Sequence, residues 1–138
     1  MSQTIEQKLA ELGITLPTPV APLANYVPTV RTGNLLFVSG QVSIDGAGKL
    51  STGKLGAGLD IDTGRAAARL CAINQLAQTK AAIGDLEKIV RVVKLVGFVN
   101  SAPDFVDHPK VMNGCSDLFV EVLGDKGRHA RSAVGIAA

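Results

Sequence analysis

The pattern of apolar and polar residues divides the chain into three helices and a small set of strands. A first short helix is predicted over residues 4–12, because apolar side chains recur there at helical spacing. Thr4 and Gln7 carry the signature of a capping box, and Gly13 supplies a helix stop. The segment from there to Pro28 contains four prolines. It is therefore predicted to be an extended arm rather than a helix.

A β-hairpin is predicted next. Residues 30–31 and the run LLFVSGQV at 35–42 flank the turn residues TGN at 32–34. The tetrapeptide DGAG at 45–48 predicts a further turn. The glycine-rich stretch that follows, residues 49–62, is expected to be loosely structured.

The strongest helical pattern runs from residue 63 to residue 83. Asp62 or Thr63 is expected to cap this helix, and Gly84 supplies its stop. One apolar stripe is predicted to face inward, formed by Ala66, Leu70, Ile73, Leu76, Ala77 and Ala81. The many alanines would allow the helix to lie close to a sheet.

Residues 88–100, KIVRVVKLVGFVN, predict a long strand. Because nearly every position is apolar, both faces of this strand are expected to be buried. Another helix is predicted over residues 109–123 and a last strand over residues 132–136. The inward side chains of that helix are expected to be Val111, Met112, Cys115, Leu118, Phe119 and Val122.

The order hairpin, helix, strand, helix, strand indicates parallel strands joined by helical crossovers. Helices and sheet then form two layers, and one sheet face rich in Val and Leu is left without a helix over it. A small protein rarely exposes such a face to water. We therefore expect this face to pack against copies of the chain in an oligomer.

Composition narrows the class of protein. With 138 residues, 46% hydrophobic and 19% charged, the chain fits one globular domain. Aromatic residues are only 4% and Trp is absent, so platforms for stacking bases are not expected. A net charge of +2 is too small to predict nucleic-acid binding. No signal peptide and no membrane-spanning run is found, and Cys71 and Cys115 are expected to be reduced, which favours the cytoplasm.

Common catalytic and metal motifs are missing from the sequence. The stretch GAGLDIDTG at 56–64 lacks the Lys-Ser/Thr ending of a phosphate loop. His108 and His129 belong to no metal-binding pattern and are expected in surface or loop positions. No metal site is predicted, and VSGQV at 38–42 is not the nucleophile elbow of a serine hydrolase.

Arg131 is the one residue that these patterns leave open. It stands at the start of the last strand, after Lys126, Arg128 and His129. It could simply be solvated, like those neighbours. Alternatively, its planar guanidinium could grip a carboxylate in a small pocket, because the small neighbours Ser132, Ala133 and Gly135 leave space beside it.

Three segments in this order resemble the RidA/YjgF proteins, once described as translation initiation inhibitors or L-PSP endoribonucleases. They are GNLLFVSGQV at 33–42, VVKLVGFVNSAPDF at 92–105 and HARSAVGIA at 129–137. The N-terminal helix, the long 105–113 loop and the following NGCSDLFVEVLG are similar to a YjgF-like branch distinct from typical RidA.

The resemblance implies an α+β, chorismate-mutase-like fold, with a sheet packed on two helices and an extra N-terminal helix. One domain would span residues 1–138, with a helix and extended arm over 1–25. The resemblance also implies a homotrimer with clefts between subunits. It further implies hydrolysis of small 2-imino or 2-enamino acids to a 2-keto acid and ammonia without a cofactor.

The same resemblance implies a substrate cleft formed by Arg131, Tyr26, Ser39, Gly40, Asn113 and Ala133. Arg131 matches the arginine that grips the substrate carboxylate, and Tyr26 matches a cleft tyrosine with a catalytic role. Ser39 and Gly40 match a turn that lines the pocket. Ala133 stands where many RidA proteins have Cys, so only its backbone N–H can donate there.

The family pattern continues beyond this chain with a final strand whose glutamate positions the attacking water. Since the sequence ends at Ala138, that strand is expected to be absent, and no residue is assigned to activate water. The sequence therefore leaves two main alternatives: an imine hydrolase, or a protein that binds a small carboxylate or keto acid without converting it. An endoribonuclease is a third alternative, for which no acid–base histidine pair is apparent.

Overall fold

A computed structural model describes residues 3–19 and 21–137 of the chain. Three helices lie over Ile5–Glu11 (α1), Ile61–Ile83 (α2) and His108–Leu123 (α3). Two short 3-10 turns follow α2 and α3, at Leu86–Lys88 and Gly124–Gly127. The strands are Thr29–Thr32 (β1), Leu35–Val38 (β2), Lys54–Leu55 (β3), Gly58–Leu59 (β4), Lys94–Asn100 (β5) and Ala130–Ile136 (β6). Helices and strands are mixed along the chain, as predicted for an α+β fold.

The capping box predicted for α1 is confirmed. The Thr4 hydroxyl accepts from the backbone N–H of Gln7 at 3.1 Å, and the Gln7 side chain accepts from the Thr4 N–H at 2.9 Å. The helix ends before Gly13, whose φ of 71° is the left-handed conformation that favours glycine. Ile5 and Leu9 are buried, so this short helix is anchored on the core.

Helix α2 begins earlier than predicted. Asp60 is the N-cap, and its carboxylate accepts from the Thr63 N–H at 2.7 Å; the prediction of Asp62 or Thr63 as the cap was wrong. The inward stripe was also misplaced, because Ala66 and Ala81 are exposed. The buried residues of α2 are instead Gly64, Ala68, Ala72, Asn74, Leu76, Ala77 and Gln78.

A polar side chain explains part of that shift. Asn74 is buried and donates from Nδ2 to the backbone carbonyls of Val42 and Ile44, at 3.1 and 3.0 Å. This residue ties α2 to the segment that follows β2, and its two hydrogen bonds compensate for burial. A pattern based on apolar residues alone could not place it on the inward face.

Helix α3 packs closely on α2. All six side chains predicted to face inward are buried, and Leu118 is completely so. A Cβ on Gly114 would lie 2.0 Å from the backbone oxygen of Arg65, so a glycine is required where the two helices meet. Arg65 also donates from Nε to the carbonyl of Lys110 at 3.1 Å. This packing fixes the side chains of α3 that face β6.

The described strands form three ladders of two strands each. The β1–β2 hairpin is antiparallel, as predicted, and β5 and β6 are parallel, as the crossover through α3 requires. The turn at 45–48 is present, and the Asp45 carboxylate accepts from the N–H groups of Ala47 and Lys49. Between residues 49 and 62 the structure has the short pair β3 and β4.

Strand β5 is shorter than predicted and is covered on one face only. Residues 86–88 form a 3-10 turn, and the strand starts at Lys94. On the face away from α3, Phe98 is 67% exposed, so the expectation that both faces are buried is wrong for the single chain. The exposed apolar sheet face, as we call it, comprises Val96, Phe98, Val134 and Ile136. No helix within residues 3–19 and 21–137 is long and apolar enough to cross a membrane.

Candidate functional site

Arg131 is the second residue of β6, where its side chain faces α3. Side chains alternate along this strand: Arg131 and Ala133 are partly buried, whereas Ser132 and Val134 are exposed. Ala133 packs against the hydrophobic core, and Arg131 pairs in register with Leu95 of β5. The arginine is thus held between the sheet and the helix and is not solvated like Arg128.

Two side chains of α3 hold Arg131 in place. Its Nη1 donates to the side-chain oxygen of Asn113 at 2.9 Å and to the hydroxyl of Ser116 at 3.1 Å. Asn113 and Ser116 are three residues apart, so they lie on one face of the helix. The structure therefore brings two of the residues implied by the resemblance into direct contact, and adds Ser116.

The remaining donors of Arg131 are unoccupied. Within the described part of the chain, neither Nε nor Nη2 makes a hydrogen bond, and no carboxylate forms an ion pair with this guanidinium. These two nitrogens present the parallel N–H donors that match the two oxygens of a carboxylate. A partly buried arginine with this edge open is suited to bind a small anion.

His129 extends the network away from Arg131. Its Nε2 lies 2.9 Å from the Ser116 hydroxyl, and its Nδ1 lies 2.6 Å from the carbonyl oxygen of Gly127. The ring meets Phe119 edge-on, with centroids 5.9 Å apart. His129 lies in the loop between the 3-10 turn and β6, as expected, but it is partly buried and has a hydrogen-bond partner at each ring nitrogen.

These side chains border an open pocket of about 280 Å³. Its lining comprises Ser116, Asp117, Val120, Arg128, His129 and Arg131. The pocket contains two guanidinium groups and one carboxylate, and Arg128 already pairs with Asp125 at 3.2 Å. Its size and charge suit a small anionic molecule.

Three residues implied by the resemblance lie elsewhere in the chain. Tyr26 is 57% exposed in the extended arm, and its described side chain has no hydrogen bond to Arg131. Ser39 donates from its hydroxyl to the carbonyl of Val27 at 2.7 Å, next to Gly40. The β1–β2 hairpin, which lies between Tyr26 and Ser39 in the sequence, does not pair with β5–β6 among the described residues. Whether these residues belong to the cleft stays a prediction.

A second serine–histidine pair lies outside this pocket. His108, the first residue of α3, has its Nε2 2.9 Å from the hydroxyl of the buried Ser101, and its ring contacts Phe105 edge-on. A Cβ on Gly135 would lie 2.5 Å from that Nε2. His108 too is partly buried, contrary to the expectation from the sequence.

Neither cysteine is poised as a nucleophile. Burial raises the pKa of Cys115 to about 12, with a smaller contribution from Cys71, while Arg131 acts in the opposite direction. Burial also raises the pKa of Cys71 to about 11. Both are free thiols. Across the described residues, no group of three or more His, Cys, Asp or Glu side chains could hold a metal ion.

Sequence reasoning did not identify Ser116 and His129. Their only signal is spacing: Ser116 lies one helical turn after Asn113, and His129 lies two residues before Arg131. The first spacing places Ser116 beside Asn113 on α3. The contact between Ser116 and His129, however, depends on how the turn after α3 packs, which the sequence pattern does not reveal.

Comparisons with known proteins agree on one family. A family model described as "YjgF/chorismate_mutase-like, putative endoribonuclease" matches residues 6–136. Protein TCP17 of Trypanosoma cruzi is 49% identical over 137 residues, which are 99% of this chain and 86% of that protein.

Two solved structures are similar over nearly the whole chain. The protein Atu1372 of Agrobacterium tumefaciens, described as of unknown function, is 52% identical with a TM-score of 0.89, over 98% of this chain and 82% of that one. A "putative endoribonuclease" of Shewanella oneidensis is 38% identical with a TM-score of 0.94, over 99% of this chain and 90% of that one. The chorismate-mutase-like α+β fold expected from the sequence is confirmed.

Proposed function

Because the chain belongs to the YjgF family, we propose that its Arg131 pocket binds a small 2-imino or 2-enamino acid and hydrolyses it to a 2-keto acid and ammonia. The open edge of the Arg131 guanidinium carries this proposal. Nη1 is held by Asn113 and Ser116, whereas Nε and Nη2 make no hydrogen bond among the described residues. A substrate carboxylate would complete the set of hydrogen bonds.

Arg131 would contribute in two ways. Holding the carboxylate fixes the adjacent C2 atom in the pocket, which removes much of the entropy cost of water attack. The positive charge also offsets the negative charge of the carboxylate beside C2, which makes C2 more electrophilic toward the attacking water. Asn113 would keep the guanidinium in the orientation that both effects require. No cofactor is part of this proposal.

The proposed site includes a neighbouring subunit. The resemblance implies clefts between the subunits of a homotrimer, and in the part of the chain that the structure describes Tyr26, Ser39 and Gly40 make no hydrogen bond to Arg131. A second copy could supply them. The exposed apolar sheet face supports such an assembly, because burying Phe98 alone would remove a large aromatic surface from water. Light scattering at micromolar concentration tests the trimer, and a monomer mass would refute it.

The activity is tested with imines generated in situ by an amino acid oxidase. We expect the wild-type chain to speed the conversion of 2-iminopropanoate or 2-aminoacrylate to the keto acid, and Arg131→Ala to lose that acceleration. A protein that only binds ligands would give calorimetric binding of 2-ketobutyrate without any acceleration of hydrolysis. The two free thiols agree with a cytoplasmic location, which belongs to the same proposal.

A second candidate is an endoribonuclease. The endoribonuclease description shared by the family and the Shewanella oneidensis relative favours it, as does the presence of Arg128 and His129 beside Arg131 at the pocket. Cleavage of a single-stranded RNA that Arg131→Ala loses would support this activity. Equal cleavage by both proteins at the same purity would point to a contaminating nuclease.

A further inference from the structure

The hydrogen bonds around His129 have a defined direction. A backbone carbonyl can only accept, so the bond between Nδ1 and the Gly127 oxygen places the proton of the neutral ring on Nδ1. Nε2 is then an acceptor for the Ser116 hydroxyl, 2.9 Å away. The Ser116 oxygen in turn accepts from Nη1 of Arg131, which can only donate. One chain of hydrogen bonds therefore runs from Arg131 through Ser116 and His129 to the backbone of Gly127.

The far end of this chain of hydrogen bonds is anchored in the backbone. Gly127 is buried, and a Cβ there would lie 2.2 Å from the backbone oxygen of Phe119, so the turn that presents its carbonyl packs directly on α3. Phe119 also meets the imidazole edge-on. The ring and the Ser116 hydroxyl are thus held in one orientation, and Nη1 of Arg131 finds an acceptor with a fixed direction.

Ser116 and His129 act on Arg131 from the side away from a bound carboxylate. A carboxylate that pairs with Nε and Nη2 lies across the guanidinium from Nη1, where Ser116 is bonded. Neither the serine nor the imidazole can therefore hydrogen-bond a ligand on that edge. Their contact with Nη1 instead fixes the orientation of the guanidinium. A group that is already oriented loses less freedom when its ligand binds.

From this geometry we propose that Ser116 and His129 are positioning residues for Arg131, and that the charge of the His129 ring is coupled to carboxylate binding. The inference rests on one part of the proposed function, namely that Arg131 holds a carboxylate. It does not require that the ligand be hydrolysed.

The coupling follows from the short distance between two positive charges. Nη1 of Arg131 and Nε2 of His129 lie 3.1 and 2.9 Å from the same Ser116 oxygen, so these two nitrogens cannot be more than 6.0 Å apart, the sum of both distances. A proton added to the ring then repels the guanidinium. A bound carboxylate neutralises Arg131 and removes this repulsion. Proton and carboxylate should therefore bind cooperatively, and the affinity should rise as the pH falls.

Other charged groups face the same region. Arginines and aspartates from the neighbouring segments are found there: Asp117 of α3, Asp125 of the 3-10 turn, its partner Arg128, and Arg91, whose Nε donates to the Arg128 carbonyl. Aspartate and arginine side chains ordinarily keep their charge between pH 5.5 and 8, whereas histidine titrates within this range. A pH dependence of binding in this range is therefore assigned to His129.

Calorimetric titration with 2-ketobutyrate at pH 8 tests the positioning role. We expect Ser116→Ala to weaken binding by about 3- to 10-fold, because Nη1 of Arg131 loses one oriented acceptor. Ser116→Thr keeps the hydroxyl and should restore most of the affinity. Ser132→Ala is the matched control: this serine follows Arg131 directly, but its hydroxyl is bonded to Lys94, so the affinity should not change. In imine hydrolysis, Ser116→Ala should raise KM more than it lowers kcat, since the bound ligand restores the orientation.

The pH profile separates this role of His129 from a purely structural one. The affinity of the wild type should rise by about 3- to 10-fold from pH 8 to pH 5.5, as expected for a charge about 6 Å away. His129→Gln should flatten this profile, because its amide can accept from Ser116 but does not titrate. The sequence has one other histidine, His108, which pairs with Ser101 at the same 2.9 Å but does not line the pocket. His108→Gln should keep the wild-type profile.

Each outcome decides the inference. It is overturned if Ser116→Ala binds as tightly as the wild type, if Ser116→Thr binds as weakly as Ser116→Ala, or if His129→Gln keeps the wild-type pH profile. Should Ser116→Ala fail to fold in circular dichroism, the profile of His129→Gln alone decides. A wild type that binds 2-ketobutyrate without hydrolysing imines overturns the proposed hydrolase and leaves this inference standing. A wild type that does not bind 2-ketobutyrate overturns both.

Discussion

Replacing Gly114 by alanine tests whether the contact between α2 and α3 is as close as the structure indicates. The new Cβ would lie 2.0 Å from the Arg65 backbone oxygen, and real Cβ contacts stay beyond 3.0 Å. The helices would therefore have to separate by roughly 1 Å, and such overpacking typically costs about 1–3 kcal/mol. The new Cβ would meet a backbone atom, which cannot move aside as a flexible side chain can. We therefore expect the overpacking cost to lie at the upper end of that range. Alanine regains about 1 kcal/mol of helix propensity.

The free energy of unfolding should therefore fall by about 2 kcal/mol, which for a chain of this size lowers Tm by roughly 6–10 °C. Thermal unfolding followed by circular dichroism measures the change in Tm. Both proteins are compared at the same concentration, because the Tm of an oligomer depends on protein concentration. Binding of 2-ketobutyrate should weaken too, since Asn113 and Ser116 flank the displaced residue.

Gly64→Ala is the matched control. Gly64 is also buried in a helix, on α2, but its Cβ would meet only side-chain atoms of Leu55 and Val111, at 3.0 and 3.3 Å. These atoms can shift, so we expect a change within about 1 kcal/mol of the wild type. If Gly114→Ala is as stable as Gly64→Ala, the two helices are not packed as closely as the structure has them, and the reasoning is refuted.

Three further predictions follow from single side chains. Cys115 and Cys71 should react slowly with a thiol reagent near neutral pH and rapidly in denaturant, because burial raises the pKa of each thiol; fast labelling of the folded chain would contradict this. Asn74→Ala should destabilise the fold by about 1–3 kcal/mol in chemical denaturation, since two carbonyls lose their buried donor. Asp60→Asn should reduce the loss of Tm in acid. Hydrogen bonds from the Thr63 side chain and from its backbone N–H lower the pKa of Asp60, so the stabilisation is present above the unfolded-state pKa and is lost as pH falls through the folded-state pKa. An unchanged acid profile would refute that assignment.

Large apolar side chains made α3 predictable from the sequence, whereas the inner face of α2 was not. In α3, Leu118, Phe119 and Val122 mark one face at helical spacing, and the predicted face is the buried one. In α2 alanines occur on several sides, and Asn74 is inward because its amide meets two carbonyls from a distant segment. Such long-range hydrogen bonds leave no periodic signal.

In the candidate site, too, some residues could be predicted from the sequence and others could not. Arg131 stood out in the sequence because a charged residue opens a strand of small residues, and a family resemblance pointed to Asn113. Ser116 and His129 were missed because they meet only after the turn at Gly124–Gly127 folds against α3. Tyr26, Ser39 and Gly40 stay predictions, since no hydrogen bond among residues 3–19 and 21–137 joins them to Arg131.

The central claim is that Arg131 holds a carboxylate, and calorimetric titration with 2-ketobutyrate tests it most directly. Arg131→Ala should weaken binding by about 1.5–3 kcal/mol, the usual value for a hydrogen bond to a charged group. Arg131→Lys should recover only part of that loss, because an ammonium cannot present two parallel donors. Equal affinity in the wild type and both variants would contradict the account and leave Arg131 a structural residue that only ties β6 to α3.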